Sequence, residues 1–107
     1  EADAWFENPP REIDGFAFPD MLQHMEIDPS AVRFVQTDAA GFTAWVAKNH
    51  NGDLCVIGTD ASGGAVTSCV PRNNFVAFGA MVSQDGHTIT WNGGTVTVTN
   101  PRSQHTP

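Results

Sequence analysis

Two cysteines, three methionines and four histidines carry much of the side-chain chemistry open to this chain of 107 residues. Cys55 and Cys69 flank Asp60-Ala61-Ser62-Gly63-Gly64, a run of turn formers between two apolar stretches. With the turn centred on Ser62, the register that pairs Ile57 with Thr67 also sets Cys55 opposite Cys69. Opposed residues of an antiparallel pair lie with Cα atoms roughly 4.5–5.5 Å apart, inside the about 4.4–6.8 Å that a disulfide requires. A bridge closing a loop of this length contributes about 3 kcal/mol in the loop-entropy picture, much of the stability of a small domain. The alternative is a pair of buried thiols. A bridge asks for an oxidising compartment.

Met21-x-x-His24-Met25 is the most specific metal-like pattern. On a helix, positions i, i+3 and i+4 share a face, and two thioethers with one imidazole suit Cu(I). The competing reading packs Met21 and Met25 against a sheet and leaves His24 at the helix edge. His50 with Asp53 in a turn is a weaker pairing. No G-x-S-x-G nucleophile elbow occurs, and His24, His50, His87 and His105 have no neighbouring Ser or Cys in a recognisable arrangement. Paired carboxylates can hydrolyse glycosides, but most of the acids fall in the N-terminal stretch or in turns. Gly63-Gly64 and Gly93-Gly94 lack the Lys-Ser/Thr and helix of a phosphate loop. No catalytic residue and no cofactor is expected.

The elements that position these residues read as strands. Ala31–Gln36, Phe42–Ala47, Leu54–Gly58 and Ala65–Val70 are separated by Asp38-Ala39-Ala40-Gly41, Asn49-His50-Asn51-Gly52-Asp53 and the Ser62 turn. A short helix over Asp20–Glu26 ends ahead of Asp28-Pro29, and Pro71 and Gly79 bracket a brief helical turn. Asp85-Gly86 is a two-residue hairpin signal that pairs Val82 with Ile89 and Ala80 with Trp91. Asn92-Gly93-Gly94 makes the next turn, in either two-residue register, and places Val96 and Val98 beside Ile89 and Trp91. Thr88, Thr90, Thr95, Thr97 and Thr99 take the other face, a solvated sheet surface. An ice- or carbohydrate-binding role for that face has no further residue behind it. The expectation is a mainly β fold of about six to seven antiparallel strands, a partial barrel or small sandwich, with one or two short helices. Its core is Val32, Phe34, Phe42, Val46, Leu54, Val56, Phe75, Val82, Ile89, Trp91, Val96 and Val98.

The chain divides into an acidic, proline-bearing leader or juxtamembrane linker (1–19), a single β-rich domain (20–99) and a flexible tail (100–107). In the leader, Trp5, Phe6, Phe16 and Phe18 either pack on the domain or sit beside a membrane segment upstream. The chain opens at Glu1, and a signal or membrane-spanning segment is expected ahead of it. Net charge is −7 with five scattered basic residues, which argues against nucleic acid and against anionic membrane surfaces. No Asn-x-Ser/Thr sequon occurs.

The stretches Asp28-Pro29-Ser30-Ala31-Val32-Arg33-Phe34-Val35, Gly41–Ala47, Gly52-Asp53-Leu54-Cys55-Val56-Ile57 and Val66-Thr67-Ser68-Cys69-Val70-Pro71, followed by Phe75 and Gly79, resemble the outer domains of small uncharacterised membrane-anchored or secreted proteins of actinobacteria. The resemblance spans about residues 28–82. It implies a cell-envelope address and a Cys–Cys bridge, and no activity. The expected function is a non-catalytic extracytoplasmic interaction or sensing domain, at the cell surface or secreted, whose partner is a protein or an envelope component. The rivals are a metal-handling module built on Met21, His24 and Met25, and a small enzyme whose site follows no familiar motif. An exposed apolar patch favours interaction, a bound metal the first rival, and a deep polar cleft with convergent acids the second.

Overall fold

The computed structural model describes residues 2–9, 19–39, 41–84 and 86–99. The apolar runs become seven antiparallel strands in two sheets. The first is a meander of β1 (Ile27–Thr37), β2 (Thr43–Asn49), β3 (Leu54–Thr59) and β4 (Ala65–Val70). The second is a meander of β5 (Ala80–Gln84), β6 (His87–Asn92) and β7 (Thr95–Thr99). Two short helices complete it: α1 (Pro19–His24) before β1, and α2 (Arg72–Phe78) between the sheets. The sheets face each other without closing into a barrel.

Alternation along the strands sorts the side chains. Ala44 and Val46 of β2 and Leu54 and Val56 of β3 turn inward, to meet Phe75, Ala80, Val82, Ile89 and Trp91 of α2 and the second sheet. Gly58 lies where Phe42 crosses the strand; a Cβ there would stand 2.6 Å from the Phe42 ring. Unlike a half-wet strand, β3 is buried along its whole length. Its opposite face, with Trp45 and Ala47, forms a second core under Leu22 of α1. Trp45 is fixed there by an edge-on contact with Phe34 at 5.7 Å and by donating from Nε1 to the Thr59 hydroxyl at 3.2 Å.

The hairpin registers follow the turn chemistry. Val82 pairs with Ile89 and Ala80 with Trp91; Ile89 and Trp91 pair with Val98 and Val96, so Gly93-Gly94 is the two-residue turn. Gly79 ends α2 at φ +74°, where its N–H donates to Phe75 O at 2.7 Å, and a Cβ would strike the Asn92 side chain and the Trp91 carbonyl. Asp28-Pro29, read above as a break, lies inside β1. Pro29 is tolerated because β1 is an edge strand whose register slips between Ile27 and Val32. Phe34, Val96 and Val98 are half-buried rather than central, because each lies in an edge strand, β1 or β7.

Trp5 and Phe6, whose two fates were left open by the sequence, pack on the core. They belong to a 3-10 helix, Ala2–Phe6. Trp5 Nε1 donates to Gly94 O at 3.2 Å in the β6–β7 turn, and Phe6 meets Trp91 edge-on at 6.3 Å. Arg33 of β1 donates to Asn8 O at 2.8 Å. The N-terminal stretch thus links the first sheet to the second. Phe16 and Phe18 and the tail from Asn100 onward lie outside the described residues.

Candidate functional site

Three large apolar side chains are left exposed among the described residues, and they are close in sequence: Val76 (81% exposed), Phe78 (83%) and Met81 (59%). Their position follows from local rules. Phe75 is the only buried residue of α2; it pins the helix by packing edge-on against Trp91 at 4.8 Å and turns Val76 and Phe78 to solvent. Ala80 and Val82 face the core, so Met81 must face out.

Met81 opens onto the outer face of the second sheet. Its cross-strand neighbour is Thr90, which pairs with Thr97; the adjacent row is Ser83, Thr88 and Thr99. The Ser83 and Thr88 hydroxyls are 3.0 Å apart and bonded. None of these side chains is charged. The sequence sharpens the contrast. Of twelve acidic residues only Asp85 follows Asp60, leaving eleven ahead of it. Between Ala61 and Thr99 the formal charges are Arg72 and Asp85 alone. The acids whose side chains are described lie in the N-terminal segment (Glu7), on α1 (Asp20), in the turn after it (Glu26), at the start of β1 (Asp28) and in the turns of the first sheet (Asp38, Asp53, Asp60). Charge depletion with exposed Phe and Met is the composition of an interface core.

The residues singled out by chemistry fall elsewhere. Cys55 and Cys69 are opposed across β3–β4 and joined, with S–S 2.10 Å, on the face covered by α1. The bridge is compatible with an extracytoplasmic setting. No helix among the described residues is long and apolar enough to cross a membrane. Met21 and Met25 pack against the second core, while His24 is exposed. Among the described residues no three His, Cys, Asp or Glu side chains gather as a metal site. His50 is exposed and holds α1 in place through its backbone, donating to Glu26 O at 2.8 Å. Asp53 is bonded to Asn49.

Three arrangements were not visible in the sequence. Arg33 is only 5% exposed, yet its guanidinium meets three carbonyls, of Ser30, Val32 and Asn8, at 2.6–2.9 Å. It also stacks over Phe6 at 5.5 Å, with Lys48 Nζ 5.1 Å from the same ring. An open cleft of about 340 Å3 lies beside it, lined by Ala4, Trp5, Asn8, Pro9, Arg33 and Gly94. Among the described residues that lining holds one committed cation and no carboxylate, so they offer no acid–base pair. At the other end of the core, His87 Nδ1 stands 3.3 Å from Asp38 Oδ2 and its ring stacks on Phe42 at 4.2 Å. A His–carboxylate pair is two-thirds of a triad, but the cysteines are oxidised and the Ser83 hydroxyl is on the opposite face of the sheet.

Asp60 is the third. Its Oδ1 accepts from Ser62 N, the Ser62 hydroxyl and Gly64 N at 2.7–3.0 Å, and its Oδ2 accepts from Gln84 Nε2 of β5 at 3.0 Å. The Ser62 hydroxyl, followed by the Gly64 N–H, holds its pKa below the ordinary 3.8. The Ser30 backbone N–H and then its hydroxyl do the same for Asp28. Both carboxylates are spent on turn geometry.

No protein-family model, curated protein or solved structure matches the chain.

Proposed function

We propose that this chain is a non-catalytic, extracytoplasmic interaction domain that docks a protein partner through the outer face of β5–β7 and the adjoining end of α2. The observation that carries the reading is the exposure of Val76, Phe78 and Met81 beside two rows of the second sheet that hold no charged side chain. The Cys55–Cys69 bridge supports an address in the cell envelope or outside it. The two candidate thioethers, Met21 and Met25, are partly buried against the second core.

The test uses the full-length protein in its own cells, with a photoreactive side chain at position 78 or, as a control, at exposed position 23 on α1. Adducts are expected from 78 and not from 23, and protease added outside intact cells should remove the domain. Equal adducts from both positions, or none from either, would defeat the docking face. A domain protected from external protease in cells with a permeabilised outer layer would defeat the address.

A further inference from the structure

We infer that the occupant of this face is a second copy of this chain, an inference that rests on the docking reading just given. The argument is electrostatic first. At net −7 two copies repel each other in most orientations. Face-to-face apposition of their second sheets lowers this cost, because it brings the rows Met81–Thr90–Thr97 and Ser83–Thr88–Thr99 together without a formal charge in either row. The same arrangement puts both copies' Asp20 of α1, Asp28 of β1 and Glu26 of the turn between them, beyond the first sheet, at the far ends of the pair. A basic partner would be drawn to that acidic side instead, leaving the neutral face unused.

Chemistry and area agree. An isologous contact sets a surface against itself, and hydroxyls serve as both donors and acceptors, so a threonine face is complementary to its own copy. Phe78 and Met81 supply the apolar contact. Three strands about 4.8 Å apart and five residues long at about 3.3 Å each, with the α2 corner, present on the order of 400–500 Å2 per copy. That falls short of the about 800 Å2 per partner of a standard interface. The pair is therefore a weak, reversible dimer, with a dissociation constant on the order of 10 µM or higher. Screening of like charges strengthens it as salt rises.

Sedimentation equilibrium of the protein from about 1 µM to about 1 mM, at low and high salt, tests this. A monomer–dimer equilibrium that tightens with salt is expected. Phe78→Asp and Thr90→Lys should each weaken it by about a hundredfold, since either buries an unpaired charge, while Glu26→Gln should not weaken it. Thermal unfolding of both variants should match the parent, because both positions lie on the outer surface. A monomer throughout the range, or a dimer that survives both substitutions, overturns the inference. The photo-crosslink from position 78 separates the two levels of the argument. An adduct of twice the chain's mass supports self-association. An adduct to a different protein overturns self-association and leaves the docking face standing, and no adduct removes both.

Discussion

The two sheets of this molecule are built from similar hairpins but are covered differently. The first is buried on both faces along its central strands β2 and β3, by the second sheet on one side and by α1 on the other, and β3 has no exposed residue. The second is buried on one face only, and its other face carries Met81 and two rows of hydroxyls. The first sheet holds the disulfide, the second core and the turns with their acids. The second holds the exposed apolar groups. Stability and the proposed recognition thus fall in different layers, and substitutions should separate them.

The largest effect is expected inside the shared core. Trp91 is fully buried between Phe75 and Phe6, and Trp91→Ala should cost about 3–5 kcal/mol in urea unfolding. Phe78→Ala, an aromatic deletion on the outside of the same region, should change stability by less than about 0.5 kcal/mol. If the two losses were similar, Phe78 would be part of the core and the division between layers would fail.

Next comes the bridge of the doubly covered sheet. Replacing Cys55 and Cys69 together by Ala should cost about 3 kcal/mol, and the unreduced parent should show no free thiol on intact-mass alkylation. A loss well under 1 kcal/mol would mean that the β3–β4 pairing is held without it.

The smallest effect concerns the clasp between sheets. The folded-state pKa of Asp60 is depressed by the Ser62 hydroxyl and the Gly64 N–H. Its contribution is therefore complete above the ordinary carboxylate pKa of 3.8 and is lost as pH falls below that value through the depressed one. Asp60→Asn should remove that part of the acid dependence, read as a flatter stability–pH curve below about pH 4. An unchanged curve would show that the turn holds its shape without the carboxylate.

How much of this was legible follows from the range of each interaction. Val96 and Val98 against Thr95, Thr97 and Thr99, with Gly93-Gly94 as the turn, fix a hairpin locally, and the expected pairs are found. The register across Ser62 likewise places Cys55 opposite Cys69. Of the second core the expected list holds only Val32 and Phe34; Trp45, Ala47, Cys55 and Ile57 are not in it. Trp45-Val46-Ala47 and Cys55-Val56-Ile57 do not alternate with polar residues, and that signal would have revealed strands buried on both sides. The docking of Trp5 on Gly94, the Asp38–His87 pair and the Asp60–Gln84 bond join residues far apart in the chain, and no local pattern encodes them. The exposure of Val76 and Phe78 was hidden for another reason: in a seven-residue helix, one buried residue, Phe75, decides which side faces in.

The three methionines give the most direct measurement of the difference between the layers. Met21 and Met25 lie against the second core under α1, and Met81 faces out from β5. A brief peroxide pulse on dilute purified protein, read by peptide mass spectrometry, should oxidise Met81 several times faster than Met21 or Met25. The same pulse on protein raised to about 1 mM, above the expected dissociation constant, should leave Met81 protected, with Met21 and Met25 unchanged. Met81 oxidised as fast in the concentrated as in the dilute protein would contradict the proposed role of the second sheet in recognition.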